Sequence, residues 1–119
     1  VADQVGCPSS TLNLATACWT VITSSSDEVE LPPVLHWCDG GAASWYDVSV
    51  AVGELAMDLG LLQRAATVNP ISTADYPTPA TRPGYSLLDC QASRQVLQLE
   101  AQPWRAALKD VLQAIPTNP

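Results

Sequence analysis

The sequence predicts an α/β fold of a mostly helical kind, a small lobe of about four helices and two or three short strands. Three observations carry this. Apolar residues recur at helical spacing near residues 11–23, 45–59, 91–97 and 103–115. Two short runs, "VLHWC" at 34–38 and "ATVNPIS" at 66–72, carry β-type residues bounded by turn formers. The chain has 119 residues, the length of one domain.

Residues 1–10 read as a loop leading into the first helix. Leu12, Ala15, Trp19 and Ile22 fall at helical spacing, and Ser10 is placed to cap the start. Residues 24–33, "SSSDEVELPP", form a polar connector suited to length variation. The strand at 34–38 ends at "DGGAAS", which reads as a strand-to-helix turn. Ser44 with Asp47 three residues on makes a capping box, and Val48, Val52, Leu55 and Leu59 form the stripe that the second helix buries. Gly60 is a fitting residue just past its end. The second strand, at 66–72, precedes an irregular loop over 75–89 that holds Pro77, Pro79 and Pro83, each fixing φ and removing a donor. A short helix over 91–97 starts from Asp89 or Cys90. The last helix opens on Pro103 as its first residue, where a missing N–H costs nothing, and Pro116 and Pro119 end it. Its apolar face is Trp104, Leu108, Val111, Leu112 and Ile115. Two short strands make a poor sheet alone, so they are expected to border a sheet that another segment supplies.

Hydrophobic residues make up 47% of the chain, well above a disordered composition. The net charge of -7 argues against nucleic acid or an anionic membrane as the main partner. One small anionic ligand stays possible, because a single well-placed arginine holds one. No apolar run reaches the length of a membrane span and no secretory signal is evident, so the expected location is cytoplasmic. Val1 in place of Met suits a piece of something longer, or a trimmed chain. The four cysteines, Cys7, Cys18, Cys38 and Cys90, lack close Cys-x-x-Cys spacing and are expected as reduced thiols, mostly small core residues. His36 and Cys38 would share one face of a strand, but two residues do not make a metal site; no metal is expected.

No catalytic set emerges. His36 lies inside an expected strand and no serine sits in a nucleophile elbow. There is no glycine-rich phosphate loop. Arg82, stiffened by Pro79 and Pro83, can present its planar guanidinium to a phosphate. It could equally cap a helix carbonyl or pair with Asp75 or Asp89. Gln4, Gly6, Pro8 and Ser9 form a polar turn beside a helix N-terminus, suited either to an anion or to ordinary capping. Trp45 and Tyr46 stand beside the "DGGAAS" turn, which is either a plain turn or a wall facing a ligand.

Four segments together resemble the dTDP-4-dehydrorhamnose reductases. "DQVGCPSSTLNLA" is similar to that family's D-Q-x-G-x-P-T-x-x-x-x-L-A segment, and "SWYDVSVAV" to its S-W-Y-[DE]-[FV]-A. "YPTPATRPGYSLLDC" is similar to Y-P-T-P-A-x-R-P-x-x-S-x-L-D, and "WRAALKDVL" to the closing W-[RK]-x-A-L helix. At the P-T position this chain has Pro8-Ser9, which keeps the hydroxyl and loses a methyl. The resemblance spans essentially the whole chain, in order, but only the C-terminal substrate lobe of such an extended Rossmann-type reductase.

The resemblance implies a lobe that closes over a dTDP-sugar, with Arg82 near the diphosphate and Gln4, Pro8, Ser9, Trp45 and Tyr46 as further substrate-binding residues. It implies that NADPH belongs to an N-terminal dinucleotide-binding domain expected to be absent here, since the chain has neither the glycine-rich loop nor a Tyr-x-x-x-Lys pair. Its one lysine is Lys109, and four residues before it stands Arg105. No turnover is then expected from the lobe alone, and no catalytic residue is assigned. Its partner would be a cofactor-binding domain or a second copy of itself. The alternative is an interaction or dimerisation module derived from such a lobe, binding no ligand.

Overall fold

The computed structural model describes residues 1–24 and 31–115. In chain order the elements are β1 (Val5–Gly6), α1 (Thr11–Ser24), β2 (Ala43–Ser44), α2 (Trp45–Asp58), a short 3-10 turn (Thr73–Asp75), α3 (Gln91–Leu97) and α4 (Trp104–Gln113). This is the α/β lobe that the sequence predicts, with its helices close to their expected bounds.

The caps explain why. Ser10 Oγ accepts from Asn13 N at 3.1 Å at the start of α1. Ser44 and Asp47 form the full capping box at α2: Asp47 N donates to Ser44 Oγ, and Ser44 N donates to Asp47 Oδ2 at 2.7 Å. Gly60, with φ +71°, follows the end of α2 in the left-handed region. At α3 the cap residue is Cys90, while the Asp89 carboxylate accepts from Gln91 N at 2.9 Å. Pro103 is the N-cap of α4 rather than its first helical residue, with ψ 132°. Its backbone forms a bridge to Gly40: Gly40 N donates to Gln102 O at 2.7 Å and Trp104 N to Gly40 O at 2.8 Å. Pro116 and Pro119, and most of the polar connector, lie outside the described residues.

The strands differ from expectation. Neither 34–38 nor 66–72 is a strand, and the sheet is instead β1 paired antiparallel to β2, Val5 opposite Ser44 and Gly6 opposite Ala43. No described segment runs alongside 34–38 to complete a ladder. Side chains of α3 serve its backbone instead: His36 N donates to Ser93 Oγ at 2.9 Å, and Cys38 O accepts from Arg94 Nη2 at 3.3 Å. Without a pleat, His36 and Cys38 do not share a face; His36 is exposed and Cys38 buried. In 66–72, Pro70 has no N–H to give a ladder.

The core is thin. Its fully buried apolar residues are mostly small: Ala17, Ala43, Ala51, Ala56 and Ala107 with Cys38 and Cys90, beside Leu55, Leu97 and Leu112. Of the stripe expected on α2 only Leu55 is fully buried; Val48, Val52 and Leu59 are half-buried, and Ala51 and Ala56 are buried beside Leu55. On α4, Ala107 and Leu112 are buried while Val111 and Ile115 are exposed. The α1 stripe faces outward: Leu12, Trp19 and Ile22 are 71%, 66% and 64% exposed, and the helix packs through the opposite side at Ala17. The radius of gyration is 17.1 Å. A compact chain of this length has about 13.5 Å, so the lobe is spread out, 22 Å across its thinnest dimension and 52 Å along its longest.

Candidate functional site

The two-residue sheet sets the geometry of a cleft. β1 and β2 bring the turn at residues 4–8 against the start of α2, and the proline-rich loop is tied to the far side of β1. Val5 N donates to Gly84 O at 2.9 Å and Ser86 N donates to Val5 O at 2.8 Å. These bonds leave no room beside Gly6, where a Cβ would stand 2.9 Å from Ser86 Oγ. Between the three segments lies an open cleft of about 530 Å³.

Four of the expected residues meet there: Gln4 and Pro8 on one wall, Trp45 at the first turn of α2, and Arg82 on the loop. Cys7, Val48 and Ser86 also line it, and sequence reasoning missed them. Cys7 stands in the same turn as Gln4 and Pro8, so that turn was the available signal. Two expected residues lie elsewhere. Ser9 Oγ accepts from Asp39 N at 3.0 Å and donates to Cys7 O at 3.4 Å, bracing the wall from behind. Tyr46 faces a separate shallow depression with Trp104, Arg105 and Glu54.

Arg82 is exposed and makes no hydrogen bond or ion pair with any described residue. The two carboxylates nearest in sequence are engaged. Asp75 Oδ2 accepts from Ser72 Oγ at 2.7 Å and from Ser72 N at 2.9 Å, and these bonds hold its carboxyl below the ordinary value. Asp89 caps α3. The structure therefore removes both internal ion pairs open to Arg82 in the sequence. Among the described residues no Asp or Glu lines the cleft, although the chain carries a net charge of -7. The N-terminus of α2 opens onto it, with its partial positive charge already met by the Asp47 carboxylate of the capping box.

Supports behind the wall are specific. Gln4 Nε2 donates to Thr73 Oγ1 at 3.0 Å, and Thr73 in turn gives its N–H and hydroxyl to the Asp3 carboxylate. Those bonds, the backbone one first, hold Asp3 below the ordinary carboxylate range. Asp39, 1% exposed, accepts from Ser10 N at 2.9 Å and Asn13 Nδ2 at 3.0 Å. It ties the "DGG" turn to the start of α1. Gly41, with φ +106°, lies against Trp104, where a Cβ would come within 2.9 Å of the indole.

A mostly helical lobe whose cleft, among the described residues, has no acidic lining and holds an uncommitted arginine is the class that this geometry defines. The chain belongs to the RmlD substrate binding domain family, whose profile matches residues 1–116. It is 32% identical over 116 residues to a dTDP-4-dehydrorhamnose reductase of Aggregatibacter actinomycetemcomitans, covering 93% of this chain and 38% of that protein. Similarity to the dTDP-4-dehydrorhamnose reductase of Mycolicibacterium smegmatis is 32% over 115 residues, 97% of this chain and 32% of the relative. Among solved structures, a dTDP-4-dehydrorhamnose reductase from Clostridium acetobutylicum superposes with a TM-score of 0.77 at 32% identity, covering 95% of this chain and 38% of that one. One from Bacillus anthracis, solved in complex with NADP, gives 0.77 at 25% identity over 92% of this chain and 35% of that one. The chain thus spans under two-fifths of the length of these relatives.

Proposed function

We propose that the cleft binds a nucleoside-diphosphate sugar of the dTDP-4-dehydro-L-rhamnose type, with Arg82 as the contact for the diphosphate. The observation that carries this is the guanidinium uncommitted to any described residue, beside a cleft that no described carboxylate lines. A guanidinium offers a planar fork of donors that matches phosphate oxygens. Its proline neighbours restrict the loop before binding, so less entropy is lost on contact. Trp45 offers an exposed aromatic face for the base or sugar, and Gln4, with Pro8, shapes the opposite wall.

In this reading the lobe grips substrate for a reduction of the sugar's 4-keto group in a cytoplasmic biosynthetic enzyme. NADPH is the reductant that the family implies. The residues of this chain do not fit that cofactor: the sequence holds no glycine-rich dinucleotide loop and no Tyr-x-x-x-Lys pair. The hydride and proton steps are therefore assigned to another domain, and the lobe alone binds without turnover. The test is titration with dTDP and dTDP-L-rhamnose at millimolar levels, followed by amide resonances. Shifts at residues 82–86 and 44–48 support the reading; a spectrum unmoved there rejects ligand binding by the lobe.

A second reading rests on α1. Its exposed Leu12, Trp19 and Ile22 suit a protein partner, either a cofactor-binding domain or a second copy of the chain. Light scattering at rising concentration tests self-association; a strictly monomeric profile removes the second copy.

A further inference from the structure

Three of the four cysteines converge although they are far apart in sequence. Cys38 Sγ and Cys90 Sγ are 3.5 Å apart, both side chains buried and separated by 52 residues along the chain. Cys7 lies against the same group and donates to Asp39 O at 2.8 Å, while Cys18 is exposed on α1. We propose that Cys38 and Cys90 are a reversible redox pair, closed into a disulfide by a hydroperoxide and reopened by a thiol reductant.

Three features support the pairing. The sulfurs are already in van der Waals contact, so reaching a bond of about 2.05 Å needs a small movement. The 34–38 segment is not locked into a sheet, and its backbone leans on α3 through Ser93 and Arg94, so it can follow that movement. Arg94 adds a positive charge beside the thiols. Burial pushes the Cys90 and Cys7 thiols up, and the guanidinium opposes that rise without reversing it. A disulfide of this kind in a reducing compartment is transient and sensing rather than structural.

The chemistry balances with the hydroperoxide as the named oxidant. One thiolate attacks the peroxide oxygen; the O–O bond breaks, an alcohol or water leaves, and a sulfenic acid forms. The second sulfur attacks the sulfenic sulfur; the S–S bond forms, the S–O bond breaks, and water leaves. Sulfur loses two electrons in all and the peroxide gains them. The new bond would join the 34–38 segment to the start of α3. Through the Cys7 bond to Asp39 it would also stiffen the wall of the cleft.

The test uses the purified protein treated with hydrogen peroxide, with free thiols then blocked by N-ethylmaleimide in denaturant. Chymotrypsin separates Cys38 from Cys7 and Cys18 at Trp19 and Trp37, and from Cys90 at Trp45, Tyr46, Tyr76 and Tyr85; fragmentation of the peptides tells Cys7 from Cys18. The expected result is a Cys38–Cys90 linked peptide pair, two remaining labelled thiols, a raised thermal midpoint, and full reversal by dithiothreitol. Cys18→Ser is expected to leave the link intact, and Cys90→Ser to abolish it. A Cys7–Cys38 link, linkage only between molecules through Cys18, or four labelled thiols after treatment would overturn the proposal. The wild-type peptide map decides this even if Cys90→Ser fails to fold.

Discussion

Replacing Arg82 by alanine separates a binding residue from a structural one. The side chain makes no internal bond with a described residue, so its removal breaks nothing in the folded lobe. The thermal midpoint of Arg82→Ala should match wild type, since exposed substitutions away from such features stay within about 0.5 kcal/mol. Affinity for a dTDP-sugar should fall. Hydrogen bonds to a charged group contribute about 1.5–3 kcal/mol, and exposure places Arg82 at the lower end, near a tenfold rise in Kd. Arg82→Lys keeps the charge but loses the two-pronged geometry and should recover only part of the loss. Calorimetric or NMR titration reads all three proteins under one salt condition. In a reconstituted reductase the same change should raise KM for the sugar nucleotide. An unchanged Kd, or a midpoint lowered by several degrees, would show that Arg82 is a structural residue and refute the reasoning.

Three further outcomes follow from the frame around the cleft. Ser44→Ala removes the acceptor for Asp47 N and should cost about 1 kcal/mol, read as a lower urea midpoint at constant m-value. Asp39→Ala leaves Ser10 N and the Asn13 amide without their buried acceptor, at about 1–3 kcal/mol per orphaned donor, and should also weaken ligand binding by loosening the turn beneath Cys7. Asp3, Asp47 and Asp75 are each held below their ordinary carboxylate value by hydrogen bonds from Thr73, Ser44 and Ser72. Each is charged in the fold and protonates more readily in the unfolded chain, so their contribution is whole at neutral pH. Stability should be flat from pH 7 to 5 and fall as pH drops below about 4; denaturation at a series of pH values checks this, and a loss beginning near pH 6 would contradict it.

The helices were legible because their signals are local. Ser10, the Ser44–Asp47 pair and the apolar spacing within each segment mark starts and faces without reference to the rest of the chain. The strands were not. β1 and β2 are two residues each and sit 38 positions apart, Val5 to Ala43, so no periodic pattern announces them. The runs at 34–38 and 66–72 have strand composition but no described strand beside them, and composition cannot supply a neighbour. Helical spacing gave the apolar face of α1 correctly and could not say that the face would point outward. Gln4, Pro8, Trp45 and Arg82 line one cleft. The place of Ser9 was not legible, because a hydroxyl that braces a wall and one that lines it read alike in sequence. Asp39 shows the same limit: in the "DGG" turn it reads as a solvated turn residue, and only the fold reveals it as a buried tie.

The strap between β1 and the proline-rich loop rests mainly on main-chain groups, Val5 N to Gly84 O and Ser86 N to Val5 O, with a longer bond from the Ser86 hydroxyl to Val5 O at 3.4 Å. Side chains along that loop can therefore change without unfastening it, provided position 6 stays small enough to clear residue 86. A frame that depends on peptide groups leaves its outward surface open to evolution. The side chains of residues 83–85 can be rewritten while the seam beneath them keeps its bonds.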